Sequence, residues 1–318
     1  MAEKEVYSKE RNMSTKETFL TFLCNKNTGE FCGRTPGSWA KILLFYVIFY
    51  ACLATFWAVM LLIFYTTISY NEPKWQQKES LIGTNPGLGF RPRAPASNVE
   101  STLIWFSSSK PKSYEEQVND IQKFINDENR PLGTDNTNIA DSACSVDEPQ
   151  KDLDKYCLFD TNQMFVDMPA DMNCKFKANE SYYGYDRGTP CVIIKLNRIF
   201  GWTPENYKSQ QIDEMKQKKG GEELFKNLRQ GHVFITCEGE NPADVENIKK
   251  VMVHPKEGIS FKYFPFRNKP GYVSPFVFVQ FEVKNGVLIN VECKAWASNI
   301  KHDRMDREGS VHFELLVD

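Results

Sequence analysis

ILLFYVIFYACLATFWAVMLLIFYTTI, residues 42–68, is a run of 27 residues without one charged side chain. At about 1.5 Å rise per residue a helix of that length crosses a hydrocarbon core of about 30 Å with some tilt. Core helices of soluble proteins rarely stay this apolar all round for so long. A secretory signal is shorter, lies nearer the start and ends in small residues at a cleavage site. Here a polar stretch precedes the run, and bulky Phe64 and Tyr65 stand near its end. The sequence therefore predicts a retained transmembrane helix over 41–68, a cytoplasmic tail over 1–40 and an extracellular domain over 69–318.

Orientation follows from what flanks the helix. Lys26, Arg34 and Lys41 lie upstream, Lys74 and Lys78 downstream, and the balance of positive charge leans toward a cytoplasmic N-terminus. The cysteines separate the two sides more clearly. Of nine, Cys24 and Cys32 precede the helix, Cys52 lies within it, and Cys144, Cys157, Cys174, Cys191, Cys237 and Cys293 follow it. An even set on one side reads as a disulfide framework in an oxidising compartment. Asn179-Glu180-Ser181 adds a glycosylation sequon on that side. A second sequon, at Asn12, would be cytoplasmic and silent. The expectation is a type II single-pass protein, whose helix contacts lipid. A formal net charge of −2 leaves no electrostatic footprint for nucleic acid.

Upstream of the helix, residues 1–40 are polar and aperiodic, which reads as a mostly disordered tail. Within it the Gly and Pro of GRTPGSW (33–39) suggest a turn, with Trp39 and Lys41 as headgroup anchors. Downstream, residues 70–101 are rich in Pro, Gly and Asn and read as irregular. SYEEQVNDIQKFINDEN then places Tyr114, Val118, Ile121 and Ile125 on one face of an amphipathic helix, with Ser113 and Glu116 as a capping box. Residues 131–154 read as loop.

From Cys157 onward, β-branched and aromatic runs alternate with turn residues: CVIIKLNRIF, HVFITCEG, VMVHP, ISFKYFPF, FVFVQFEV, VLINVECKAWA and VHFELLV. FVFVQFEV-KNG-VLINVECKAW resembles a hairpin turning at Asn285-Gly286. These runs predict a mainly-β ectodomain, an antiparallel immunoglobulin-like β-sandwich with an amphipathic helix and long loops. Cys237 and Cys293 are candidates for an internal staple. ENYKSQQIDEMKQKK reads as a helical insertion and KQKKGGEE, at its end, as a solvated turn.

No catalytic constellation emerges. The chain has no GxSxG, HExxH, GxxxxGK[ST] or EF-hand loop, and His232, His254, His302 and His312 are scattered. Six ectodomain cysteines without a CxxC suit bridges better than zinc, and no metal or other cofactor is expected. The membrane helix carries a different message. Tyr46 and Tyr50 are four apart and share a face; a hydroxyl at the depth of Tyr50 is costly in lipid unless it finds a partner. Ala54 and Ala58 permit close approach of another helix.

Three stretches carry a resemblance. GRTPGSWAKILLFYVIFYACLA, YGYDRGTPCVIIKLNRIFGWTP and ECKAWASNI resemble, in order, the membrane entry, central cysteine block and C-terminal block of the beta subunits of the sodium/potassium-transporting ATPase. The resemblance implies a non-catalytic glycoprotein subunit. It would pair with the catalytic alpha subunit, assist its folding and delivery, and modulate potassium and sodium transport, with a small single-span regulatory subunit as a further partner. It also implies the bridges Cys144–Cys157, Cys174–Cys191 and Cys237–Cys293. Tyr46 and Tyr50 would face an alpha-subunit helix, Cys52 would be a site of redox modification, and Tyr263, Phe264, Pro265, Phe266 and Tyr272 would lie near the partner's extracellular loop. The chain departs from vertebrate members at Ala51 and Thr55, where they carry glycine. The alternative reading is a homophilic adhesion glycoprotein that acts without a pump.

Overall fold

In a computed structural model, which describes residues 19, 22–25, 29–70, 72–95, 97–128, 144–145, 147–152, 154–177, 181–217, 221–303, 305–306 and 308–318, the approach to the membrane helix has regular structure. β1 (Cys24–Asn25) and β2 (Glu30–Phe31) pair antiparallel, so this part of the predicted disordered tail is a small hairpin. Trp39 Nε1 donates to the Phe31 carbonyl at 2.7 Å, which ties the hairpin to the helix that follows. That helix, α1 (Pro36–Thr66, 31 residues), begins five residues before the predicted boundary. Pro36 occupies the first helical turn, where its missing N–H would have had no partner and its φ is already helical. Pro36 and Gly37 therefore start the helix, while the predicted turn is made just before it, at Cys32-Gly33, where Gly33 takes φ +71° and Phe31 and Arg34 exchange backbone hydrogen bonds at 2.9 and 3.2 Å. At the far end the hydroxyls of Thr66 and Thr67 donate back to Ile63 O and Phe64 O, each at 2.7 Å. These bonds reinforce the C-terminal turn, where Thr67 N–H also donates to Phe64 O at 3.0 Å. No residue of α1 is buried within the chain.

The chain divides into two compact units, Met1–Tyr70 and Asn71–Asp318. The second contains, in order, β3 (Leu88–Arg91), β4 (Leu103–Phe106), α2 (Pro111–Glu128), α3 (Thr161–Val166), β5 (Phe176–Lys177), β6 (Ser181–Tyr182), β7 (Cys191–Leu196), α4 (Ser209–Gln217), α5 (Gly221–Leu224), β8 (His232–Gly239), α6 (Pro242–Asn247), β9 (Ile248–His254), β10 (Ile259–Ser260), β11 (Phe276–Val283), β12 (Ile289–Trp296) and β13 (Ser310–Val317). Two sheets are stacked, with strand orders β10-β8-β12-β13-β4 and β3-β7-β11-β9. Their pairs are antiparallel except β13 with β4, which run parallel.

The two sheets differ in burial. β12 alternates, with Ile289, Val291, Cys293 and Ala295 buried and Asn290, Glu292, Lys294 and Trp296 on the outer, half-buried face. β11 is buried on both faces over Phe276–Phe281. Between the sheets Phe313 meets Phe90 (5.1 Å between ring centroids) and Phe281 (5.8 Å). On the other face of the four-stranded sheet Phe276 meets Phe124 of α2 (5.5 Å) and Phe159 (5.1 Å). α2 thus forms a third layer. It buries Tyr114, Val118, Ile121, Phe124 and Ile125, each stabilising by about 1.5–3 kcal/mol when fully removed from water.

Several expectations need correction. β11 and β12 are not a hairpin: β11 pairs with β7 and β9, whereas β12 pairs with β8 and β13. Asn285-Gly286 is a corner between sheets, where Gly286 takes φ +72° and its N–H donates to Val317 O at 2.7 Å. Ser113 does not cap α2, since it lies inside the first turn. Its hydroxyl donates to Lys110 O and accepts from Ser107 N–H. CVIIKLNRIF leaves the sheet after Leu196, and ISFKYFPF contributes only Ile259 and Ser260 as strand before turning through a 3-10 turn, Phe261–Tyr263. Within the predicted irregular segment β3 pairs with β7. KQKKGGEE ends in helix α5.

Candidate functional site

On α1 the rings of Tyr46 and Tyr50 stack at 6.1 Å, as their spacing requires, and both are exposed. Phe45 and Phe49 form a parallel stack beside them at 6.2 Å. Among groups that would be costly in lipid, Thr55 is satisfied within the helix: its hydroxyl donates to Ala51 O at 2.8 Å. Cys52 is a free thiol on the helix surface.

In the second unit the aromatic segment Tyr263–Tyr272 is the most elaborately supported loop. Phe264 points inward, is 7% exposed and meets Trp202 edge-on at 5.4 Å. Tyr263, Pro265, Phe266 and Tyr272 are half-buried. Tyr272 Oη donates to Tyr263 O at 3.1 Å and closes the loop on itself. Burial, helped by the negative charge of Asp160, pushes the Tyr263 hydroxyl up to about 12.

The Cys144–Cys157 loop braces this segment. Gln150 N–H donates to Phe264 O at 2.8 Å, Tyr156 Oη donates to Pro270 O at 3.1 Å, and Lys269 Nζ pairs with Asp154 at 3.0 Å. From another direction Gln77 Nε2 donates to Gly201 O, while Gly201 N–H donates to Phe266 O, both at 2.9 Å. Arg267 reaches Glu72 at 3.4 Å. No sequence signal announced these braces, because each joins residues far apart in the chain.

The other cysteines of the second unit are bonded as Cys174–Cys191 and Cys237–Cys293. Cys237 and Cys293 sit directly opposite on β8 and β12, so this bridge lies within one sheet and faces the core. Cys174–Cys191 ties the loop before β5 to the start of β7. Beside it Gln280, 1% exposed, donates to Thr189 and accepts from Asn173 N–H at 3.1 Å. Gly184 makes the approach possible: at φ +78°, a Cβ there would lie 2.1 Å from Thr189 O. Asn179 lies outside the described residues.

The histidines are not brought together. His254 Nε2 lies 2.9 Å from Met164 O and His302 Nε2 lies 2.8 Å from Ala295 O; burial lowers the pKa of both. His312 sits 2.9 Å from Glu240, and His232 Nδ1 lies 3.2 Å from Gln230 O. Among the described residues no group of three or more His, Cys, Asp and Glu could hold a metal ion. What the arrangement offers is an exposed aromatic helix face and a braced aromatic loop, both suited to contact and neither to bond-making chemistry.

The pattern of the family described as Sodium / potassium ATPase beta chain matches residues 9–313. Sodium/potassium-transporting ATPase subunit beta-2 of Drosophila melanogaster is 37% identical over 322 residues, covering 99% of this chain and 96% of its own length. Subunit beta-1 of the same organism is 38% identical over 306 residues, 95% and 94% of the two chains. The human beta-2 subunit is 28% identical over 312 residues, with the same coverage of 95% and 94%.

Proposed function

Because the chain belongs to the sodium/potassium ATPase beta chain family, whose members are accessory and non-catalytic, we propose that it pairs with the catalytic alpha subunit of the pump in the plasma membrane. It does so as a type II protein, with residues 1–40 in the cytoplasm, the helix across the bilayer and residues 69–318 outside. It assists folding and delivery of the alpha subunit and modulates potassium and sodium transport. The observation that carries the reading is a family match spanning both the apolar helix and the disulfide-bonded β domain.

Two surfaces take part in the pairing. Tyr46 and Tyr50 supply hydroxyls for interhelical hydrogen bonds, in an environment where a lone hydroxyl has no water to turn to. Tyr263, Pro265, Phe266 and Tyr272 supply the extracellular contact, with Phe264 as the wedge beneath them. Trp39 and Lys41 rest at the headgroups. Asn179 carries glycan, Cys52 is open to redox modification, and a small single-span subunit completes the assembly. Co-expression of the chain with a catalytic alpha subunit tests this: the alpha subunit reaches the surface with the chain and stays in the endoplasmic reticulum without it. Equal surface delivery in both cases refutes the assembly role.

A further inference from the structure

We propose that Arg198 is the positioning residue of the partner-facing aromatic loop, the side chain that holds Phe266 and Tyr272 in the attitude in which the catalytic chain meets them. This inference rests on the reading just given. The Arg198 guanidinium carbon stands 5.3 Å from the Phe266 ring centroid and 5.7 Å from that of Tyr272. The two rings are 5.2 Å apart and inclined at 58°, so one cation serves both. Its Nε donates to Ser274 Oγ at 2.6 Å, which orients the guanidinium plane.

The anchorage is rigid at both ends. Arg198 follows the last residue of β7 by two positions and Ser274 precedes the first residue of β11 by two; those strands are paired with Lys195 opposite Phe276. Continuing that register beyond the strands keeps Arg198 and Ser274 within side-chain reach. The aromatic loop is bonded to the rest of the domain mainly through backbone carbonyls, of Phe264, Phe266 and Pro270. Those bonds place the main chain; the Tyr272 hydroxyl is held by Tyr263 O at 3.1 Å, and the Phe266 ring, which has no polar atom, is oriented by what lies against it, Tyr272 and Arg198. A guanidinium can attract a ring and donate a directed hydrogen bond at once, whereas a lysine ammonium has no plane to orient.

The test uses the full chain co-expressed with a catalytic alpha subunit, with wild type, Arg198→Met, Arg198→Lys and Ser274→Ala. Two quantities are read: recovery of alpha subunit with the tagged chain in detergent, and the potassium concentration giving half-maximal ATPase activity per assembled complex. Loss of the doubly stacked cation in Arg198→Met is expected to weaken recovery on the order of tenfold. Arg198→Lys and Ser274→Ala are expected to assemble but to shift the potassium half-saturation point, a readout that a general loss of folding would not move. If both mild variants assemble with wild-type potassium dependence, Arg198 does not position the loop. If Arg198→Met folds and recovers alpha subunit as wild type does, the inference is likewise overturned. If the wild-type chain recovers no alpha subunit, the pairing itself falls and the inference with it.

Discussion

Replacing Cys237 and Cys293 together by alanine is expected to cost the folded chain about 5 kcal/mol, made up as follows. The bridge joins residues 56 apart, against separations of 13 and 17 for the other two. In the chain-entropy relation a loop of this length restrains the unfolded ensemble by about 4 kcal/mol, and the two shorter loops by about 3 kcal/mol each. Cys237 and Cys293 are also 6% and 0% exposed and face the space between the sheets. Removing their sulfurs leaves voids worth on the order of 1 kcal/mol. Domains are stable by only about 5–15 kcal/mol, so the loss is a large share of the total. Pulse proteolysis of the full chain in detergent, across a urea series, measures it. At a slope of about 3 kcal/mol per molar the midpoint should fall by about 1.7 M, and by about 1.3 M for the Cys174→Ala, Cys191→Ala pair, whose sulfurs are likewise buried and leave a like void. A fall below about 0.5 M for the long loop, or a larger fall for the short one, would refute loop length as the governing quantity.

Three further outcomes are expected. Tyr46→Phe with Tyr50→Phe should loosen the assembled complex by about 1 kcal/mol, since interhelical hydrogen bonds in membranes average about 0.6 kcal/mol each; unchanged dissociation in detergent would remove the partner role of those hydroxyls. Burial holds the His254 pKa below its unfolded value of 6.5, so the unfolded chain takes up a proton first on acidification. Stability is therefore full above pH about 6.5 and declines as pH falls from there toward the folded value. His302 has the same sign, and His254→Asn should flatten part of the slope in a urea midpoint series between pH 7 and 5. Gly184→Ala should cost more than about 2 kcal/mol, through a residue at positive φ whose new Cβ meets the Thr189 carbonyl; a midpoint equal to wild type would show that the loop relaxes freely.

What the sequence disclosed depended on how local the cause was. The membrane helix was legible because absence of charge over 27 residues is a property of the segment alone. β8, β11 and β13 were legible for the same reason, as runs of Val, Ile and Phe. Pairing was not. FVFVQFEV and VLINVECKAW are adjacent and joined by Asn-Gly, yet they enter different sheets, and the hint lay in their patterns. The first is apolar nearly throughout and suits a strand covered on both faces, whereas INVECKAW alternates and suits a sheet with one face outward. β3 and β4 were missed because each is four residues long, among Pro, Ser and Asn that signal loop. The Ser113 capping box failed through register: Pro111 opens α2 two residues earlier, which puts the serine inside the helix. The aromatic segment could be named from resemblance, but the contacts of Gln150, Tyr156 and Arg198 with it join chain positions that only the folded sheets bring together.

The central claim is that this chain is one half of a pump. It is tested most directly by solubilising an epitope-tagged copy from its native membrane in mild detergent and identifying by mass whatever accompanies it at fixed stoichiometry. The account predicts a larger, multi-spanning P-type ATPase alpha chain in one-to-one ratio, lost when Tyr46, Tyr50 and Phe266 are replaced together. Recovery of the chain alone, or only with further copies of itself, would contradict it.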